Sequence, residues 1–98
     1  MNMTKTLNGT ALTIAVEGRL DTVTAPELER DLSASLAGVT DLTIDFAKLE
    51  YISSAGLRAL LAAYKLMRGQ GSMKITNTNE IVKEVFEVTG FSNFLPID

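Results

Sequence analysis

With 98 residues, 46% hydrophobic and 21% charged, the chain has the length and apolar content of one globular domain built on one core. It contains no histidine and no cysteine, which excludes imidazole bases and ligands, Ser-His-Asp triads, thiol nucleophiles, disulfides and thiolate metal centres. Nine basic against 12 acidic side chains give a net charge of -3 and a pI near 4.9, which opposes direct nucleic-acid binding through basic clusters.

The first residues, Met1 to Thr6, carry no apolar signal core. Thr4–Leu7 and Ala11–Glu17 flank Asn8-Gly9, a dipeptide whose members both tolerate positive φ, so a tight hairpin is predicted there. Leu12, Ile14 and Val16 alternate with polar or small residues and give the second strand one apolar face. Gly18-Arg19-Leu20-Asp21 leads to a helix start, where Thr24 and Glu27 have the spacing of a capping box and Pro26 fits the first turn. Leu28, Leu32 and Leu36 line that helix, and Gly38 closes it. Asp41–Phe46 is predicted as a strand with Leu42, Ile44 and Phe46 on one side. Ala47–Ser53 is predicted as a connecting loop carrying Leu49, Tyr51 and Ile52.

A second helix spans Ser54 to Arg68, with Leu57, Leu60, Leu61 and Tyr64 at core spacing, before Gly69 and Gly71. Its run Ala59–Tyr64 is the longest uninterrupted apolar stretch, six residues, far short of the roughly 20 that a membrane span needs. Ser72–Thr76 forms a short strand. Asn77-Thr78-Asn79 caps a third helix, in which Ile81, Val82, Val85, Phe86 and Thr89 recur until Gly90. Phe91, Phe94 and Leu95 are left for a C-terminal turn. The order β-β-α-β-α-β-α predicts a single α/β domain over residues 1–98. Its sheet is mostly parallel and four- to five-stranded, with an antiparallel N-terminal hairpin and helices packed on it.

One segment carries chemistry. In Ile52-Ser53-Ser54-Ala55-Gly56-Leu57-Arg58, two hydroxyls stand where a loop becomes a helix, a place of unpaired amides and a dipole favouring negative charge. Ser53 suits the N-cap of the following helix. Gly56 in the first turn gives up about 1 kcal/mol of helix propensity against alanine, which suits close contact with the preceding strand or with a partner.

Phe46 through Leu61 resembles the signature of STAS domains that act as anti-sigma factor antagonists in bacteria. In that family an Asp-Ser-Ser/Thr-Gly-Leu stretch opens the helix, and its first serine is phosphorylated by an anti-sigma factor that is also a kinase. Ser54 matches the phospho-acceptor, and Gly56 and Leu57 match the family's glycine and leucine. Ser53 stands where the family has aspartate and is the second choice of acceptor, while Ala55 replaces a frequent hydroxyl. Gly18-Arg19-Leu20-Asp21, with Ala25 and Leu28, resembles the family's N-terminal strand-to-helix entry, where the aspartate lies near the phosphosite. The resemblance implies a cytoplasmic regulator that binds an anti-sigma serine kinase when unphosphorylated. A PPM-type serine phosphatase would restore it. The implied partner surface comprises Asp21, Thr22, Ser53, Gly56, Leu57 and Arg58. The competing expectation is a STAS scaffold or sensor subunit that is never phosphorylated.

Enzyme readings have little support. Ser54-Ala55-Gly56 is half of a nucleophile elbow, but Ile52 occupies its first glycine position and no histidine exists to act as base. A receiver domain with Asp45 or Asp21 as acceptor lacks the acidic pair after its first strand. No glycine-rich phosphate-binding motif occurs. Neither a cofactor nor a metal is expected, and no membrane or nucleic-acid partner.

Overall fold

Two periodicities sort the chain into a sheet and the helices that cover it. The computed structural model describes residues 1–97. Strand β1 is Asn2–Asn8, β2 is Ala11–Leu20, helix α1 is Ala25–Ser35, β3 is Asp41–Ile52, α2 is Ser54–Arg68, β4 is Ser72–Thr76 and α3 is Glu80–Thr89. A short 3-10 turn, Phe91–Asn93, follows. The sheet order is β1-β2-β3-β4, with β1 antiparallel to β2 and the other pairs parallel. The predicted α/β class and mostly parallel sheet with an N-terminal hairpin are observed. Among the described residues the sheet has four strands, and Ile97 adds a single parallel bridge beside Ile75 at the β4 edge.

Register aligns the apolar residues into rows. Leu12, Leu42 and Met73 stand side by side, as do Ile14, Ile44 and Ile75. All six are buried on one face, together with Leu28 and Leu32 of α1, Leu60 and Ala63 of α2, and Val82 and Phe86 of α3. Phe46 stacks parallel to Phe86 at 6.4 Å between centroids, an arrangement worth about 1 kcal/mol beyond the area it buries. The other face of the sheet presents Thr13 and Lys74 to solvent, as a one-sided sheet requires. Among the described residues no helix is long and apolar enough to cross a membrane.

Several boundaries differ from expectation. The hairpin turns on Gly9 and Thr10, because Asn8 already pairs with Ala11. Only Gly9, at φ +66°, takes the left-handed region there. Residues 47–52, expected in a loop, continue β3. They pair with Glu17 to Leu20 after two register shifts, each leaving one extra residue on β3. These bulges change the burial spacing from two to three, so Phe46, Leu49 and Ile52 all face the core. In α3, where five residues recur at helical spacing, Ile81 is 62% exposed, because Val82 and Phe86 define the buried stripe.

Candidate functional site

Parallel strands end at the same edge of a sheet, so the loops that follow them are neighbours. Here Leu20 pairs with Ile52, and the Ser53 amide donates to the Leu20 carbonyl at 2.8 Å. The Asp21–Thr24 loop is thereby set beside the start of α2.

Ser53 is extended (φ -100°, ψ 176°) and caps α2. Its hydroxyl accepts from the Gly56 amide at 3.4 Å, and its carbonyl accepts from the Leu57 amide at 3.0 Å. Ser54 is the first helical residue, and its side chain is exposed. Its hydroxyl makes no hydrogen bond among the described residues. Two neighbouring serines thus divide the work: one hydroxyl holds the helix end and the other is free.

Gly56 is buried, and a Cβ there would meet Ile52 Cγ1 and Leu20 Cγ, both at 2.8 Å. Of the two expectations for this glycine, close contact with the preceding strand is the one observed. Leu57 is 7% exposed and belongs to the core. Gly56 and Leu57, expected on the partner surface, both face inward here, where they seat α2 on β2 and β3. Arg58 is exposed one turn beyond Ser54.

Asp21 organises the other half of the site. One carboxylate oxygen accepts from the Val23 amide at 3.0 Å and the Thr24 amide at 3.1 Å, a side-chain turn typical of aspartate. The Thr24 amide bond holds the Asp21 carboxyl below its ordinary value of 3.8. Partial desolvation opposes that effect, while the Val23 amide, the Thr24 hydroxyl and the Arg19 charge add to it. The Thr24 hydroxyl donates back to the Arg19 carbonyl at 2.8 Å and accepts from the Asp21 amide at 2.9 Å. It makes no bond to the first turn of α1, so the expected capping box with Glu27 does not form. Thr22 is exposed at the loop tip.

Three neighbours escaped the sequence reading. Val23 is 85% exposed, beside Asp21 and Thr22. Its place outside every apolar stripe was the available signal. Arg19 lies over the Tyr51 ring, 4.5 Å from its centroid. That pair follows from the register Arg19 to Tyr51, which the bulges in β3 hide from any simple count. No cluster of three or more acidic side chains suited to a metal occurs among the described residues.

The site therefore offers a free hydroxyl at a helix N-terminus, an ordered carboxylate loop and an exposed apolar tip. Residues 2–98 match the model of the STAS domain. The chain is 36% identical over 88 residues to BtrV of Bordetella bronchiseptica, assigned as an anti-sigma factor antagonist, across 88% of this chain and 76% of that protein. The crystal structure of an anti-sigma factor antagonist from Mycobacterium paratuberculosis superposes with a TM-score of 0.87 at 24% identity, covering 98% of this chain and 83% of that one. SpoIIAA of Bacillus in its phosphorylated form gives 0.77 at 17% identity, over 99% and 91%. The chain belongs to the STAS domain family, within its anti-sigma factor antagonists.

Proposed function

We propose that this protein switches partners through Ser54. Unphosphorylated, it binds an anti-sigma factor that is also a serine kinase and so frees a sigma factor; phosphorylated, it lets go. The single observation that supports this most is the free, exposed Ser54 hydroxyl beside a Ser53 hydroxyl already committed to capping. In the transfer, Ser54 Oγ attacks the γ-phosphorus of ATP, the bond to the β,γ-bridging oxygen breaks, and ADP leaves. The hydroxyl proton passes to a base on the kinase. Hydrolysis by a PPM-type phosphatase returns the hydroxyl and inorganic phosphate, and the cycle belongs in the cytoplasm. This chain supplies the hydroxyl and its partners supply the catalysis.

The binding surface is Asp21, Thr22 and Val23 on one loop, with the Ser53 cap, Ser54 and Arg58 of α2 and the Arg19–Tyr51 pair alongside. Gly56 and Leu57 support it from beneath. Phosphate on Ser54 adds about -1.5 to -2 charges and three acceptor oxygens. At an interface, such a group without a partner costs several kcal/mol in desolvation and repulsion.

The test is incubation with the cognate anti-sigma kinase, ATP and Mg²⁺, followed by mass mapping of residues 49–65. Phosphate on Ser54, abolished in Ser54→Ala, is the expected result. Phosphate on Ser53 alone would refute Ser54 as the acceptor. No modification, with kinase binding undiminished in Ser54→Asp, would overturn the switch and favour a non-phosphorylated scaffold.

A further inference from the structure

The two edges of the sheet are treated differently. Beside β4 the chain folds back, the Ile75 amide donating to the Pro96 carbonyl at 2.9 Å. On the other side β1 pairs only with β2 among the described residues. Its outer row of amides and carbonyls is a template for another strand. Natural edges are blunted by proline, bulges, short length or charged side chains, lysine above all; β1 has seven residues, no proline, unbroken register with β2, and a lysine at its centre. Its one charge, Lys5, is bound to Asp31 at 2.7 Å.

We propose that β1 is a homodimer interface, in which two copies pair antiparallel about a two-fold axis at Lys5 and join their sheets into one. In an antiparallel pair, opposite residues face the same side, so only axes through a residue, and not those between two residues, keep each face consistent. The axis at Lys5 uses the whole strand. It places Met3 opposite Leu7 of the second copy, on the helix side, and Thr4 opposite Thr6 on the open side. Apolar meets apolar and hydroxyl meets hydroxyl, pairings that stabilise a ladder. Neighbouring axes instead put Lys5 against Met3 or Leu7.

Two further observations fit this occupant. Leu7 is 64% exposed on the helix-facing side of the sheet, an apolar side chain that the pairing would cover. The two Lys5 ammoniums facing across the axis are a like-charge pair that opposes the contact, offset by the Asp31 carboxylate that each already binds. That carboxylate also has one buried oxygen with no hydrogen-bond partner among the described residues. An interface made by one strand and its flanking side chains falls at the small end of specific contacts, so dissociation is expected on the order of 10 μM. Because β2 separates β1 from β3, the dimer would leave Ser54 open.

Light scattering coupled to gel filtration tests this on the full chain from about 1 μM to 1 mM. The mass should rise from 10.6 kDa towards twice that value. Leu7→Lys, at an exposed position, should keep the wild-type melting curve at about 1 μM, where both are monomeric, and stay monomeric throughout the range. Because the chain has no cysteine, register can be read by cross-linking. Thr4→Cys mixed with Thr6→Cys under oxidised glutathione should give a disulfide-linked dimer in excess of either variant alone, glutathione being reduced as the bond forms. A single-chain mass over the whole range overturns the proposal. So does a dimer that survives Leu7→Lys, or cross-linking with no excess in the mixture, since each assigns the contact to another surface or register.

Discussion

Ser53 and Ser54 differ by one bond in the chain and by everything in their surroundings. The sequence shows two hydroxyls before a helix; only geometry shows that the first accepts from the Gly56 amide and the second is free. The cap also accounts for the departure from the family pattern, because serine and aspartate serve about equally well as N-caps. Ser53→Ala should therefore cost about 1 kcal/mol in urea unfolding, whereas Ser53→Asp should leave stability equal or slightly raised through the helix dipole. Asp21 gives a second test at this scale. Its folded carboxyl is held below 3.8, so the unfolded chain takes up the proton first as pH falls. The resulting stability is whole above about pH 5 and is lost as pH drops through the folded value. Thermal melts between pH 7 and 3 should show a larger acid loss for the wild type than for Asp21→Asn, which carries no charge to protonate. Equal losses would mean that the loop contributes nothing through its charge.

Elements were legible where one periodicity held throughout. Helix α2 falls at Ser54–Arg68 and β4 at Ser72–Thr76, as the spacing of their apolar residues and flanking signals predict. β3 was legible only in its first half. Up to Phe46 its burial alternates, and beyond it the two bulges set Leu49 and Ile52 three residues apart. A spacing of three does not belong to a regular strand, so the sequence alone suggests a loop. α3 failed in a milder way: five apolar or β-branched residues cover too wide an arc, and only packing decides which of them are inside. Gly71 tests how strictly β4 is placed. A Cβ at this position would run into the Thr40 carbonyl and its Cα. Thr40 cannot retreat, since its amide bonds the Thr10 carbonyl at 2.9 Å and its carbonyl accepts from Ser72 at 2.9 Å. Gly71→Ala should therefore cost about 3 kcal/mol or more, measured by urea unfolding. A cost under about 1 kcal/mol would show that the junction of α2 and β4 adapts easily.

At the scale of the whole molecule, the proposed switch requires that charge at Ser54 act either by changing the fold or by changing the surface. The two halves of the site come from loops more than thirty positions apart (Asp21 and Ser54). The sequence could suggest their meeting only through the resemblance, whereas the parallel pairing of β2 with β3 produces it. Ser54 projects from a rigid frame: Ser53 capped, Gly56 pressed against Leu20 and Ile52, and Leu57 in the core. An anion at the first helical position is favourable by about 0.3–1 kcal/mol. A domain of this size gains roughly 4–8 °C per kcal/mol, so Ser54→Asp should melt at or a few degrees above the wild type. The same charge buried against a partner costs several kcal/mol, and a loss of about 3 kcal/mol corresponds to roughly 150-fold in affinity. Calorimetry on the variant alone and titration against the anti-sigma kinase measure the two quantities separately. Unchanged melting with binding weakened on the order of 100-fold places the switch at the surface. A variant that melts many degrees lower would place it in the fold instead, and intact binding by a stable variant would remove Ser54 from the interface.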